Sequence, residues 1–182
     1  MYSAFHSMAR HVLIPTLTLT FLLFASGCSD DGPTGSNAPT GPLSFETIEQ
    51  SSVESSAVND DAVGDFQDSM QRVIGDQSTF ESFWYDLHGE NAEVPSVNFS
   101  QKMVVVAVLG ERQTDGYEAE IASITRNTNP SLLSVFVTEI EPGSNCSATE
   151  SNTLPYHVVK LDRVSTDEVS FQDNGTETKD CG

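Results

Sequence analysis

The sequence predicts a β-rich α+β fold: an antiparallel sheet, arranged as a sandwich or a small barrel, with one amphipathic helix packed on it. Three observations carry this expectation. Residues 103–109, "MVVVAVL", are apolar at every position, as in a strand covered on both faces. Tyr117, Ala119 and Ile121 alternate with Glu118 and Glu120, the period of a strand with one wet face. Phe80, Phe83, Trp84 and Leu87 recur at i, i+3, i+4 and i+7, which lines one face of a helix.

In chain order, the first element is a leader. Residues 12–24, "VLIPTLTLTFLLF", follow Arg10 and His11. The run is shorter than the roughly 20 residues a membrane-spanning helix needs and has the layout of a signal peptide. Met8 offers a second start that gives a more ordinary signal. Ala25-Ser26-Gly27-Cys28 resembles a bacterial lipobox, although Ala25 stands where Leu is usual. The expectation is a lipoprotein signal over residues 1–27 and a lipid anchor at Cys28; the alternative is ordinary cleavage that leaves Cys28 as a free thiol. Ser29 is not the Asp that retains many lipoproteins at an inner membrane, so an outer-membrane or surface address in the bacterial cell envelope is expected. Residues 28–42 are rich in Gly, Pro, Ser, Thr and Asp and read as a flexible tether. One domain follows over residues 43–182. With Cys28 lipidated, Cys146 and Cys181 are the remaining cysteines, and an oxidising compartment predicts a disulfide between them.

Within the domain, residues 70–74 are expected to form a strand that leads into the helix. "STFE", Ser78 to Glu81, has capping-box spacing and places the helix start. Trp84 points into the core. His88 is expected to be a cation near the helix C-terminus, with Gly89 as the stop. After the strand at 103–109, Asp115-Gly116 signals a hairpin turn into the alternating strand. "NTNPS", Asn127 to Ser131, turns the chain into a strand over residues 132–140, which Pro142-Gly143 ends. "PYHVVKL", Pro155 to Leu161, and "EVSFQ", Glu168 to Gln172, complete the strands.

No catalytic signature appears. Beyond the leader only His88 and His157 occur, and no serine lies in a Gly-x-Ser-x-Gly elbow, so no catalytic residue is assigned. The cluster Asp60, Asp61, Asp65 and Asp68 lacks the Asp/Asn-and-Gly alternation of a calcium loop, and "DNGTE", Asp173 to Glu177, misses ligands. Both read as solvated turns, and no metal or cofactor is expected. The Asn-x-Ser/Thr sequences at Asn98, Asn145 and Asn174 carry little weight beside a bacterial anchor signal. The full chain has a formal net charge of -19. Without residues 1–27, which remove Arg10 alone among the charges, 7 basic and 27 acidic side chains remain, or 7 − 27 = −20. Nucleic acid is excluded as a partner, because phosphate binding needs a basic surface.

The order of segments carries a family resemblance. "VIGDQSTFESFWYDL", then "PSVNFSQKMVVVAVLGERQTDGYEAEIASI", then "LPYHVVKL" resemble the PrcB C-terminal domain family, a protease-complex subunit family, over roughly Val73 to Leu161. Pro95, Phe99, Gly110, Thr114, Gly116, Tyr117, Pro155, Tyr156, Val159 and Lys160 fall on its pattern. Asn98 stands where Asp is usual, and Asp115 where a first Gly is usual. The resemblance implies a non-catalytic domain that associates with a surface protease. The expected partners are therefore a protein, a protease by the resemblance, and the membrane through the lipid. The residues expected to meet the protein are Arg112, Thr114, Asp115, Gly116 and Tyr117, at the loop between the two central strands. Beside a structural envelope protein with no dedicated ligand, two other readings stay open. The Thr-x-Gly-Tyr loop is similar to that of chagasin-type protease inhibitors, without their Asn and Pro. A small envelope enzyme or ligand carrier is the other, and it would place His157 beside a Ser or Asp in an apolar pocket.

Overall fold

The computed structural model describes residues 40–58 and 66–182. The leader, Cys28, most of the tether, and Asp60, Asp61 and Asp65 lie outside the described residues. The elements are β1 (Gly41–Leu43), β2 (Phe45–Glu54), a 3-10 turn (Ser55–Ala57), β3 (Met70–Ile74), α1 (Gln77–His88), β4 (Lys102–Val108), β5 (Arg112–Thr114), β6 (Glu118–Thr128), β7 (Ser131–Pro142), β8 (Glu150–Asp162) and β9 (Glu168–Lys179). Gly41 and Pro42, counted with the tether from composition, already stand in β1.

The strands form two sheets. One has the order β2-β8-β4-β3, with β5 added to β8; the other has the order β1-β6-β7-β9. All pairings are antiparallel except β7 with β9. The sheets pack face to face as a sandwich rather than a barrel, and α1 covers the outer face of the first.

The all-apolar β4 explains this layering. Alternate side chains of a strand point to opposite faces. Val104, Val106 and Val108 join Phe80, Phe83, Trp84 and Leu87 of α1 in one core. Met103, Val105 and Ala107 join Ile121 and Ile124 of β6 and Leu133, Val135 and Val137 of β7 in the other. A strand flanked by two cores has no wet face, so no polar residue alternates into it. Each fully buried side chain of this size contributes about 1.5–3 kcal/mol, which is why β4 anchors both layers.

Several local expectations are corrected. The helix begins two residues before the capping box suggested. Asp76 is the N-cap, its Oδ1 accepting from the Thr79 amide at 2.9 Å and from Ser78 Oγ at 2.7 Å. Those bonds hold its carboxyl down at about 2. Gly89 ends the helix as expected, at φ 86° and donating to the Tyr85 carbonyl. Burial disfavours the cation expected at His88. Its ring lies against Trp84 with centroids 4.4 Å apart, and burial pulls its pKa below the usual histidine value despite the opposing pull of Glu49. Pro142 ends β7 as expected, whereas β8 and β9 run longer than their apolar cores. β2 carries no alternating signal because it is an edge strand in which Ile48 and Val53 are only partly buried. Asp173 to Glu177 lies within β9 rather than in a turn, at a register shift against β7 with Gly175 at φ 91°.

Candidate functional site

The segment 110–117 leaves β4 in one sheet and enters β6 in the other. The hairpin expectation therefore fails, because β4 and β6 never pair. The Asp115-Gly116 signal is nonetheless real as backbone geometry: Gly116 has φ 88°, and a Cβ there would lie 3.1 Å from Pro142 Cβ. Gly110 is held more tightly. At φ 83°, its Cβ would meet the Gln67 carbonyl oxygen at 2.8 Å, and the next amide, of Glu111, donates to that same oxygen. Only glycine fits where the chain passes so close to another backbone.

Between the two glycines the side chains of Glu111, Arg112 and Asp115 are engaged. Arg112 Nε and Nη2 donate to the two carboxylate oxygens of Glu139 on β7, at 2.8 and 2.9 Å. Its Nη1 donates to the Leu109 and Glu111 carbonyls. Both side chains are about one-quarter exposed, at 25% and 26%. This two-pronged pair ties β5 of the first sheet to β7 of the second, and the Glu139 bonds raise the guanidinium pKa further. The guanidinium carbon also sits 5.8 Å from the centre of the Tyr117 ring, a cation-π distance. Thr114 pairs with Glu150 of β8, and its carbonyl accepts from Thr153 Oγ1 at 3.0 Å. Asp115 makes a reciprocal pair with Thr149: its amide donates to the Thr149 carbonyl at 3.1 Å, and its Oδ1 accepts from the Thr149 amide at 2.7 Å. Of the segment, Gln113 and Gly116 are exposed, whereas Thr114 and Tyr117 are half-buried.

The five candidate residues thus lie together, but they divide. Arg112 and Asp115 brace the loop through their side chains, and Gly116 supplies the turn. Thr114 and Tyr117 form part of its outer surface beside Gln113. Sequence reasoning missed Gln113, since a lone polar residue in a loop carries no pattern. It also missed Glu139, 27 positions from Arg112, because a cross-sheet pair has no local spacing.

The histidines do other work. His157 is 3% exposed. Its Nδ1 accepts from the Ile121 amide at 2.9 Å, so Nε2 carries the proton and donates to Thr47 Oγ1 at 2.9 Å. The ring stitches β8 to β6 across the intersheet core, and among the described residues its hydrogen bonds go to Thr47 and Ile121, not to a Ser or an Asp. Burial lowers its pKa to about 4. His88 Nε2 lies 3.5 Å from Glu49 Oε2, and Glu49 Oε1 accepts from the buried Tyr156 hydroxyl at 2.9 Å. Among the described residues no three His, Cys, Asp or Glu side chains gather as a metal-ligating group.

The motif residues outside the loop have structural partners. Phe99 packs on Phe80, with centroids 5.8 Å apart. Asn98 Oδ1 accepts from the Ser100 amide and hydroxyl, as a carboxylate could, while its Nδ2 donates to Gln101 Oε1, which a carboxylate could not. Pro155 sits in β8 just past the last β4 pairing, and its carbonyl takes the Leu109 amide. Lys160 pairs with Glu46 at 3.0 Å. The expected disulfide joins Cys146 to Cys181, with Cα atoms 5.1 Å apart.

No curated protein and no solved structure matches the chain. Residues 103–162, from the first buried residue of β4 to the end of β8, match the model of the family described as PrcB C-terminal, the same family that the motifs resemble.

Proposed function

We propose that this chain is a lipid-anchored, non-enzymatic protein-binding module of the bacterial cell envelope, with the 110–117 loop as its contact surface and a secreted or surface protease as its partner. The observation that carries this reading is the braced loop inside the family-matched segment. A partly exposed loop held by Arg112–Glu139, Asp115–Thr149 and Thr114–Thr153 contacts loses little conformational freedom on binding, and such preorganisation raises affinity. Loops on a rigid scaffold are also where binding residues concentrate. The protease is taken from the family resemblance, and the anchor from the leader and Cys28.

The test is capture from native membranes after cross-linking through the full chain. A specific protease is expected to co-purify. Tyr117→Ala is expected to lower its recovery about tenfold or more, the scale of a binding hot spot. Capture of no enriched protein, or undiminished capture by a variant changed at Gln113, Thr114 and Tyr117 together, would overturn the reading. The mass of the mature N-terminus reports separately on whether Cys28 carries the lipid.

A further inference from the structure

The loop that braces Asp115 is itself fastened at its other end by a covalent bond. Residues 143–149 connect β7 to β8 and pair with no strand. At the near end, Gly143 donates to the Lys179 carbonyl at 2.9 Å, and Cys146 donates to the Gly143 carbonyl at 2.9 Å. Asn145 Nδ2 bonds Asp180 Oδ1, and Cys146 is joined to Cys181. At the far end, Thr149 makes the two-way hydrogen bond with Asp115. These contacts form one mechanical line: the end of β9, the disulfide, the strap 143–149, Asp115, and the 110–117 loop. Cys181 is exposed and Cys146 half-buried, so a thiolate can reach the bond. Neither cysteine belongs to either hydrophobic core.

We propose that the Cys146–Cys181 disulfide is a redox-sensitive positioning element for the 110–117 loop, whose reduction slackens the strap and loosens the loop while both cores stay folded. The inference deepens the binding role proposed above and rests on it for its consequence, weaker partner binding. The step is a two-electron thiol–disulfide exchange with a dithiol. One thiolate of the reductant attacks one sulfur, breaking the Cys146–Cys181 bond and forming a mixed disulfide. Its second thiolate then displaces that sulfur. Two cysteine thiols and a cyclic disulfide of the reductant result, with the two protons ending on the cysteines. β9 remains paired with β7 up to Lys179, which confines the release to the strap and the loop.

Amide hydrogen exchange on the full-length protein, oxidised and after dithiothreitol, tests the mechanical claim without any partner. The Asp115 and Thr149 amides are expected to exchange about tenfold faster or more when reduced, while those of β4 keep their protection. The variant Cys146→Ser/Cys181→Ser should show the fast rates without reductant. Asp115→Ala, which removes the side-chain half of the contact with Thr149 and leaves the amide-to-carbonyl bond and both cysteines, should shrink the loop's response to reductant. Unchanged exchange at positions 115 and 149 overturns the proposal, as does loss of protection in β4, which would mean global unfolding. Capture of the partner by oxidised and reduced protein then reads the consequence, with about a tenfold loss on reduction expected. Equal capture in both states overturns control by the disulfide. If oxidised protein captures nothing, the binding role fails, and the exchange result still decides whether the strap positions the loop.

Discussion

His157 is more than a buried ring, because its neutral form is the one the fold requires. The Ile121 amide needs an acceptor at Nδ1, and a protonated imidazole has none. Burial alone lowers the pKa to about 4 from the ordinary histidine value of 6.5. Between those values the unfolded chain binds a proton that the folded chain refuses, so stability rises with pH in that window. It is fully present above about pH 6.5, falls as pH drops toward 4, and levels off below. The cost at the acid end is on the order of 3 kcal/mol at most. Urea titrations at pH 7 and pH 4.5 should show this loss in the wild type and a smaller one in His157→Gln. His88, also lowered by burial, keeps some of the slope in the same direction. An equal slope in the variant would remove His157 from the account. Arg112 shows the opposite use of polarity. Its charge is matched by a planar two-point contact that Lys would not reproduce, so part of its pairing is shape.

At the level of elements, α1 was the most legible, because its four core residues share a local period that no distant partner has to complete. Its start was misread for a chemical reason. Ser78 offers one hydroxyl at capping-box spacing, but the Asp76 carboxylate accepts from Ser78 Oγ, the Thr79 amide and Thr79 Oγ1 together. The carboxyl, lowered to about 2 from 3.8, contributes stability above about pH 3.8 that is lost as pH falls toward 2. Asp76→Ala should therefore lower the melting temperature at pH 7 more than Ser78→Ala does. The reverse order would restore Ser78 as the cap. β4 was equally plain, since unbroken burial leaves its own trace. The edge strand β2, the short β5 and the parallel pairing of β9 were not, because each is set by a partner far away in sequence. The candidate loop was half legible for the same reason. Glycine geometry at 110 and 116 is written locally, whereas the crossing between sheets, the Glu139 contact and the Thr149 brace depend on which strands become neighbours.

For the whole molecule the dominant quantity is charge. The described ion pairs join Lys102 to Asp162, Arg112 to Glu139, Lys160 to Glu46 and Lys179 to Glu118. The chain holds 27 acidic side chains against 8 basic ones, so most carboxylates repel one another across the surface. Closing the 35-residue separation between Cys146 and Cys181 offsets part of that by about 4 kcal/mol of unfolded-chain entropy. Added salt acts on the remainder with two signs. It weakens surface ion pairs, each worth about 0–1 kcal/mol, and it screens the repulsion, with a Debye length of about 10 Å at 0.1 M falling to about 3 Å at 1 M. With net charge this far from zero, the relief of self-repulsion outweighs the lost pairs. The melting temperature at pH 7 should therefore rise between about 0.05 and 1 M NaCl, equally with KCl at the same ionic strength. The rise should shrink near pH 4, where carboxylates take up protons and the repulsion that salt relieves is already reduced. A fall with salt at pH 7 would mean that the ion pairs, above all the cross-sheet Arg112–Glu139 fork, outweigh the acidic surface in holding the sandwich together.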